Sequence, residues 1–587
     1  MFAEGEAKVS SIAMALAEAA FQRGTNGLAR HLAHWTPPAP IRARQFIQSI
    51  APLLHGDPER AAELYRGRFF LADRLVDAGN RVIFDVPVPS EAFAARLHGF
   101  DWLKHLEAAA SELPRIQARG LVHDWISKGV RHHPATAHRV TVRARRIISW
   151  IRHAPFLLHN ADAGFHDTFM ASLGRQAAHL MNAVRLSPSG RGRLDGAIAL
   201  AYAAIALDAM APLRATLLDR LGRELERQIL PDGGHISRAP SVLVDLLLDL
   251  VPLRIALKKA NCALPQGVLT SIERMLPLLR FFLHGDGGLT NFNGVSSPRT
   301  AQIRAIVEAD ESRGHPVTLA PHTGYARLNH GSSVVIMDIG RPPAAGLNSG
   351  AQASSLAFEF SDGIHRIVVN CGTSDRVTQR WKEAARRSAA HSTAIVGERS
   401  SCLIIANRIS DALFGSPVML GPHRVEGRLR AHADGSILEA RHDGYASAYG
   451  CIHERRLYLS KDGLDLRGED RFIASDAGST MPETGFSIRF HLHPAVKATT
   501  ARDGSSIVLV LANRAGWRFS VRGATLGMED SVYLPEPLSP RRSCQIVLSG
   551  VTSSQPCVKW AFKRIERSGV RSGEGTKTIQ LPLEQLL

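Results

Sequence analysis

The 587-residue sequence predicts a multidomain protein in which a helical part is followed by an antiparallel β-sandwich. Three observations predict this order. Leucine-rich segments with a helical period fill the first half, short runs of alternating β-branched residues fill the second, and Asp-Gly pairs separate those runs. The chain is too long for one ordinary domain, and its 45% hydrophobic content is enough to supply a core for two.

The helical part is clearest in the stretch "APLRATLLDRLGRELERQIL". Leu217, Leu221 and Leu225 recur there at steps of four and so fall on one face of a helix. A later leucine-rich stretch repeats the pattern, without a strict sequence repeat. Medium-length helices joined by short polar breaks predict helical hairpins wound into a toroid or a solenoid.

The sequence changes character near residue 315, where proline and glycine precede short strand-like runs. Each Asp-Gly pair between those runs suits a tight hairpin turn, because both residues tolerate positive φ. We therefore assign residues 1–314 to a helical (α/α) toroid and residues 315–587 to an antiparallel β-sandwich. The four Asp-Gly pairs begin at Asp362, Asp434, Asp462 and Asp503.

The formal net charge of +17 favours polyanionic partners, namely acidic polysaccharide, nucleic acid or anionic lipid. A generally basic proteome is the plain alternative. Arginine outnumbers lysine, and its planar fork suits carboxylate or phosphate groups. The sequence lacks a zinc-finger pattern and clustered aromatic residues, so nucleic acid is the least favoured of these partners.

Cysteine spacing and the N-terminus bear on location. The six cysteines are dispersed and form no CxxC pair, which disfavours both a thiolate zinc site and a disulfide framework. Glu4 and Glu6 stand where a signal peptide would carry basic residues, and no run of 18 apolar residues exists. We expect a cytoplasmic protein without a membrane span, with the periplasm or cell envelope as the alternative; the oligomeric state is left open.

The motif "LPDGGHISRAPS" interrupts the helical part at residues 230–241. The sequence Asp232-Gly-Gly can end a helix and present the side chains of the next residues. His235 is a candidate proton acceptor near neutral pH, and Arg238 is a candidate partner for a carboxylate. The plain alternative is a capped helix end with solvated neighbours.

A second motif, "GDGGLTNFNG", comes after another helix and contains Asn291 and Asn293. Their amides can bind sugar hydroxyls or a carboxylate. Asparagines in such turns also commonly satisfy the local backbone, so both interpretations stay open.

Two motifs in the second half carry further candidates. In "RRSAAHSTAIVG", Arg387 and His391 suit an acidic ligand, and the imidazole suits a metal. In "ARHDGYASAYGCIHERRLYL", Tyr445 is a candidate general acid or base, and a strand would place His453 and Arg455 on one face. A hairpin with polar edges is the alternative for this second motif.

At these motifs the chain resembles the heparinase II/III-like proteins, particularly bacterial members without a signal peptide. The matching pieces lie in the expected order over roughly residues 60–560 and include "LPDGGHISRAPS", "HGDGGLTNFNG", "ARRSAAHSTAIV", "HDGY", "HERRLYL" and "FHLHPAV". The resemblance implies an N-terminal α/α toroid and a C-terminal antiparallel β-sandwich. It also implies a carbon–oxygen lyase that cleaves uronic-acid polysaccharides, such as heparan sulfate or alginate, by β-elimination.

The resemblance also implies roles for single residues. His235 matches the family's toroid histidine, His391 matches the histidine of its "AHNT"-like motif, and His453 matches a histidine that contributes to zinc binding in some members. No organic cofactor is implied, and a structural zinc is allowed. The resulting expectations are catalysis by His235, Tyr445 and His391, substrate binding by Arg238, Asn293 and Arg387, and metal binding by His391 and His453.

The chain departs from the family pattern at two places. Active members often carry an adjacent Asn-His pair on an earlier toroid helix, whereas His179 and Asn182 are separated here. They also often carry a tyrosine soon after "DGGH", but "PSVLVDLLLDL" has none, so Tyr445 or Tyr325 would have to replace it. A non-catalytic acidic-glycan-binding or envelope polysaccharide assembly protein on the same scaffold is therefore the alternative to a lyase.

Overall fold

The computed structural model describes residues 41–565 with short interruptions. The segment on which the signal-peptide prediction rests, residues 1–40, lies outside the described residues, as do residues 566–587. The interruptions are residues 130–131, 188–189, 295–298, 311–315, 345–346, 348–349, 375–376, 406–417, 477 and 536–539.

Helices dominate the chain up to Glu308, as the leucine period predicts. Capping side chains define several helix starts: Asp162 accepts a hydrogen bond from the Phe165 N–H at 2.9 Å, and Ser90 from the Phe93 N–H at 3.1 Å. The helices are Pro58–Tyr65 (α1), Glu91–Gly99 (α2), Leu103–Ala108 (α3), Glu112–Lys128 (α4), Val140–Arg152 (α5), Ala154–Leu158 (α6), Ala163–Leu186 (α7), Arg191–Ala206 (α8), Arg214–Gln228 (α9), Pro240–Lys259 (α10), Gln266–Phe281 (α11) and Thr300–Glu308 (α12).

Burial along the helices agrees with their sequence pattern. Helix α9 buries Leu217, Leu221 and Leu225 along one face, which confirms the predicted amphipathic helix. Helix α8 differs, because every residue from Gly196 to Ala206 is buried. A helix that is apolar on all sides lies inside a core, so α8 is a central helix of the helical part. No helix in the described part of the chain is long and apolar enough to cross a membrane.

Two large antiparallel sheets form the second part of the chain. Short helices lie at Gln379–Ala385 (α13) and Ala446–Tyr449 (α14). The nine-stranded sheet contains Leu319–Ala320 (β3), Tyr325–His330 (β4), Ser333–Asp338 (β5), Phe358–Asp362 (β6), His365–Val369 (β7), Ala394–Val396 (β8), Gly485–Leu492 (β15), Thr525–Tyr533 (β19) and Arg541–Val551 (β20). The eight-stranded sheet contains Val425–His432 (β11), Gly435–Tyr445 (β12), Cys451–Ser460 (β13), Asp465–Ala474 (β14), Lys497–Thr500 (β16), Ser506–Val510 (β17), Gly516–Arg522 (β18) and Cys557–Ile565 (β21).

Two small hairpins complete the strands, and the Asp-Gly turns are confirmed. The hairpins pair Arg68–Leu71 (β1) with Arg74–Asp77 (β2) and Leu403–Ile405 (β9) with Val418–Leu420 (β10). All four predicted Asp-Gly pairs fall between antiparallel neighbours: β6–β7, β11–β12, β13–β14 and β16–β17. Gly363 has φ of 55°, a conformation that glycine adopts without strain.

The nine-stranded sheet is covered on both faces. On one face it packs against the eight-stranded sheet around aromatic side chains such as Phe490 and Trp560, whose ring centroids are 4.8 Å apart. On the other face Tyr325, Val334 and Ile336 join the core of the helical part. Every residue of β5 and β6 is therefore buried, and the sheet forms the wall between the two parts of the molecule.

Candidate functional site

The two glycine turns of the helical part share one construction. In each turn an aspartate side chain accepts the backbone N–H two residues later: Asp232 from Gly234 at 3.2 Å, and Asp286 from Gly288 at 2.9 Å. A Cβ on Gly234 would lie 1.8 Å from the side chain of Thr323. The glycine is therefore needed because the turn presses directly on the chain that leads into β4.

Both aspartates also bind the opposite part of the molecule. The Asp232 carboxylate accepts hydrogen bonds from the backbone N–H groups of His322 at 2.8 Å and Thr323 at 2.7 Å. The Asp286 carboxylate accepts from the Arg366 guanidinium at 2.8 and 3.1 Å. These motifs thus connect the helical part to the nine-stranded sheet, a role that the sequence analysis did not assign to them.

His235 lies within this connection and is only 3% exposed. Its Nδ1 atom is 2.7 Å from the Ser237 hydroxyl, and its Nε2 atom is 3.1 Å from Gln228 Oε1. Burial, with a smaller contribution from nearby Arg191, lowers its pKa to about 3. The expected position of this ring on an open rim is not observed: His235 is neutral at pH 7, and both its nitrogens have partners.

Arg238 is buried and clamps the two parts together. Its guanidinium donates to the carbonyls of Thr323 at 2.6 Å and Gly324 at 3.0 Å, and it pairs with the buried carboxylate of Asp338. The same group lies 4.8 Å from the centre of the Tyr325 ring. The donors of Arg238 are thus engaged by the protein itself, whereas the sequence predicts that Arg238 positions a sugar.

Asn293 is likewise engaged within the protein. The Asn293 backbone N–H donates to Gln352 Oε1 at 3.0 Å, and the Gln352 backbone N–H donates to Asn293 Oδ1 at 2.9 Å. The side-chain nitrogen of Asn293 donates to the Tyr325 hydroxyl at 2.6 Å. Tyr325 in turn donates to the Arg238 carbonyl at 3.0 Å, and burial raises the pKa of its phenol. Neither side chain is free to contact a sugar in this arrangement, so the backbone-satisfying interpretation of Asn293 fits the structure.

Tyr445 and His391 lie inside the sandwich rather than at its surface. Tyr445 is 1% exposed and donates its hydroxyl to the Ala394 carbonyl at 2.8 Å, and burial raises the pKa of the phenol strongly. His391 is fully buried. Burial and nearby His491 lower its pKa to about 3, and the backbone of Ala385 raises it slightly. Neither His391 ring nitrogen has a hydrogen-bond partner among the described residues.

His453 belongs to a buried hydrogen-bonded chain that sequence analysis found only in part. The Gly444 N–H donates to His442 Nδ1 at 3.0 Å, His442 Nε2 is 3.3 Å from His453 Nδ1, and His453 Nε2 is 2.7 Å from Asp470. Because His442 Nδ1 accepts from a backbone N–H, the proton of that ring is on Nε2, which donates to His453 Nδ1. His453 in turn carries its proton on Nε2 and donates it to Asp470, so both imidazoles are neutral. Arg455 and His453 share one strand face, as predicted, and Arg455 also binds Asp470 at 2.7 Å.

This arrangement does not fit the expected metal pair of His391 and His453. Both ring nitrogens of His453 are already bonded, and a metal ligand would need one of them free. Among the described residues no cluster of three histidine, cysteine or acidic side chains has the geometry to hold a metal ion. Of the predicted site residues, Arg387 alone is exposed, at the end of α13.

A chain of ion pairs that sequence analysis missed crosses helices α5, α8 and α10. Arg191 binds Asp195 at 2.6 Å and lies 3.7 Å from Asp245, and Arg145 binds Asp249 at 2.9 Å. The side chains of Arg191, Arg145 and Asp245 are 29, 32 and 35% exposed, so solvent reaches this charged surface next to His235. The signal in the sequence is the i, i+4 spacing of the charges within otherwise apolar helices.

The buried neutral histidines make stability depend on pH. The folded pKa is about 3 for His235 and His391 and about 4 for His491, below the ordinary value of 6.5. Since each folded pKa is lowered, the unfolded chain takes up protons first as pH falls below about 6.5. We expect stability to be full above that pH and to fall by about 1.4 kcal/mol per pH unit for each such histidine down to about pH 4.

Urea unfolding between pH 7.5 and pH 5 measures this dependence. His391→Leu is expected to keep the stability of the parent at pH 7.5, since it removes a ring without hydrogen-bond partners among the described residues. It should also lower by one the number of protons taken up on unfolding at low pH, and so reduce the dependence of the free energy of unfolding on pH. The matched control is His432→Leu at an exposed position, which should leave the slope unchanged. Equal stability of the parent protein at pH 7.5 and pH 5 would contradict the assignment.

The fold and the buried motifs define a class of protein. Residues 312–561 match the model of the heparinase II/III-like C-terminal domain. The chain is 31% identical over 500 residues to FtsZ-localized protein C of Caulobacter vibrioides (strain NA1000 / CB15N), a match that covers 83% of this chain and 84% of that protein. It therefore belongs to the heparinase II/III-like family, as the sequence motifs predict.

Solved structures agree on the architecture. Heparinase III has the same fold with a TM-score of 0.67 at 14% identity, over 93% of this chain and 90% of that chain. The heparan sulfate lyase HepC from Pedobacter heparinus matches with a TM-score of 0.60 at 14% identity, over 93% and 89% of the two chains. The predicted α/α toroid followed by an antiparallel β-sandwich is thus confirmed.

Proposed function

We propose that the protein is a non-catalytic member of its family that binds an acidic glycan and works where FtsZ assembles. The observation that carries this proposal is the burial of every expected proton-transfer group. His235, His391 and Tyr445 are at most 3% exposed, and the nitrogens of His235 and the hydroxyl of Tyr445 already bind the protein.

The chemistry of β-elimination explains why this burial matters. A base must reach the C5 proton of a uronate, and an acid must reach the leaving oxygen, each within hydrogen-bond distance. The buried phenol of Tyr445 has a raised pKa and donates to a carbonyl, so it serves neither purpose. Helix α10 begins with Pro240, Ser241 and Val242 and offers no tyrosine in its place.

Glycan binding is supported by the partly exposed ion pairs around Arg191 and by the net charge of +17. Arginine binds carboxylates through paired N–H donors, and it can exchange an internal aspartate for a substrate carboxylate. Such binding requires no proton transfer and is compatible with the buried histidines.

The site of action is suggested by the relative. FtsZ-localized protein C is named for its position with FtsZ, and the match covers most of both chains. A fluorescent fusion of this protein is accordingly expected to overlap with FtsZ in dividing cells. A fusion spread evenly through the cell while FtsZ forms its usual structure would contradict this part of the proposal.

Binding of an acidic glycan is tested by replacing Arg191. We expect Arg191→Ala to weaken binding of uronic-acid oligosaccharides by about tenfold, because one charged contact contributes roughly 1–2 kcal/mol. The control is Arg223→Ala, which removes an arginine of the same helical part whose side chain is 55% exposed and pairs with Asp219 on the surface. Titration calorimetry at low salt measures both; equal affinities for the two variants would contradict the assignment to Arg191.

A lyase acting on an acidic polysaccharide is the second candidate, and membership of the heparinase II/III-like family favours it. It requires that the buried His235 or His391 become accessible when substrate binds. On this alternative, His235→Ala abolishes turnover without unfolding the protein.

A further inference from the structure

The outward face of the eight-stranded sheet carries charges in an ordered pattern. Across β11, β12, β13 and β14 the register places Arg428 opposite Glu439, Glu439 opposite Arg456, and Arg456 opposite Glu469. Opposite charges on neighbouring strands stabilise a sheet, and these alternate without a break. This half of the face is thus internally neutralised.

The alternation continues onto β21, where Lys559 lies opposite Glu469 and Lys563 lies opposite Asp465 of β14, and it fails between β21 and β18. There the register places Arg518 opposite Lys563 and Arg522 opposite Lys559. Like charges directly opposite one another destabilise a sheet, and here two such pairs occur on the same face with one uncharged pair between them. We call these four residues the basic stripe.

Between its two cationic pairs the basic stripe has a small uncharged centre, which Arg467 of β14 borders. Ser520 and Ala561 lie opposite each other between the two cationic pairs. Both point outward, because the residues beside them in each strand are buried or, for Val521, packed against the sandwich core. Small side chains at this point leave room for a bound chain to lie across the strands.

Three of the four cations form no ion pair with the described residues. Arg518, Arg522 and Lys563 are exposed, and none of the three forms an ion pair with a carboxylate of the described residues within 4.0 Å. Lys559 lies 3.5 Å from Glu469, and Lys563 faces Asp465 of β14, whose carboxylate pairs with Arg467 instead. Lys563 and Arg518 make only small contributions to the lowered pKa values of Asp462 and Asp503 at the hairpin turns.

We propose that the basic stripe is a docking surface for an acidic segment of a partner protein. Repulsion that the fold tolerates in the free protein becomes attraction once carboxylates lie between the cations. Two of the four cations are arginines, whose forks match carboxylate geometry. This inference depends on the sheet face alone and goes beyond the proposed function, since neither glycan binding nor FtsZ enters it.

The side chains around the stripe favour a peptide over other polyanions. Single-stranded nucleic acid needs aromatic platforms for its bases, yet Trp517, Phe519 and Trp560 all point inward. An anionic membrane surface is bound most firmly when long apolar side chains insert beside the cations, whereas Ser520 and Ala561 occupy the centre here. An extended acidic peptide requires only the cations and a flat sheet.

The test is fluorescence anisotropy of a labelled peptide of alternating glutamate and serine against the full chain at low salt. We expect the double variant Arg518→Glu/Lys563→Glu to weaken binding by about tenfold or more. The control Arg424→Glu/Arg428→Glu makes the same change of net charge at two exposed positions on or beside β11 and should keep most of the affinity. Equal losses in the two variants would overturn the proposal, as would unchanged binding in the first.

Two further measurements use the same proteins. Arg518→Glu alone places opposite charges across β18 and β21, so it should raise the Tm while it weakens peptide binding; a lowered Tm together with lost binding would overturn the proposal by indicating a structural role. Single-stranded DNA, hyaluronate oligosaccharides and anionic vesicles are compared with the peptide. If any of them binds more tightly than the peptide and depends on the stripe in the same way, the assignment to a protein partner is overturned.

Discussion

Arg238→Met is expected to destabilise the protein by about 3–5 kcal/mol, because it leaves the buried carboxylate of Asp338 without its cation. It also removes the donors to the carbonyls of Thr323 and Gly324, which lie in the segment that leads from the helical part into the sheets. Urea unfolding of the variant and its parent measures the difference in the free energy of unfolding.

The matched control is Arg223→Met, fifteen residues earlier on α9. Its side chain is 55% exposed, and its pair with Asp219 at 2.9 Å is a surface contact, so the expected change is about 0–1 kcal/mol. If Arg238→Met cost no more than this control, the role of Arg238 as the clamp between the two parts would be wrong.

The second large effect is expected for Asp470→Asn. The Asp470 carboxylate binds Arg455, His453 and the Trp560 indole N–H, at 2.7, 2.7 and 2.8 Å, and all of these groups are buried. Without its charge Arg455 remains as an uncompensated buried cation, which costs about 3–5 kcal/mol. The same unfolding experiment measures it, with loss of near-ultraviolet circular dichroism reporting on Trp560.

Asp465→Asn on the same strand is the control. Asp465 points outward and pairs at 2.8 Å with Arg467, whose side chain is 33% exposed, so we expect a change within about 1 kcal/mol. Equal stability losses in the two variants would show that the buried chain from His442 to Arg455 contributes nothing special to the sandwich.

The sequence predicted the architecture well because the relevant signals are local. The leucine spacing of α9 and the Asp-Gly turns at Asp362 and Asp462 each report on neighbouring residues, and the structure has the helix and both hairpins. Strand alternation likewise predicted that His453 and Arg455 share a face, and both are buried there.

The candidate site was predicted less well because its contacts are distant in sequence. Arg238 binds carbonyls 85 to 103 residues away, and nothing near Arg238 in the chain reveals them. The same holds for Asn293, whose partner Gln352 lies 59 residues further along. A histidine and an arginine after a glycine turn are equally compatible with a site or with an anchor, and only the position of the sheet distinguishes the two.

The spacing of charged residues within apolar helices also predicts structure, namely the ion pairs between α5, α8 and α10. Arg191 and Asp195 are four residues apart, as are Asp245 and Asp249, and each pair therefore lies on one helix face. Charged residues in otherwise buried helices need partners, so this spacing by itself predicts an ion-pair network between the helices.

The central claim, binding without catalysis, is tested most directly by near-ultraviolet absorbance during incubation with uronic-acid polysaccharides. Each β-elimination creates an unsaturated uronate that absorbs there, so even slow turnover accumulates a signal. We predict a flat trace across a panel that includes heparan sulfate and alginate, with and without added zinc, while calorimetry still detects binding. A rising trace that His235→Ala abolishes would contradict the account and establish a lyase.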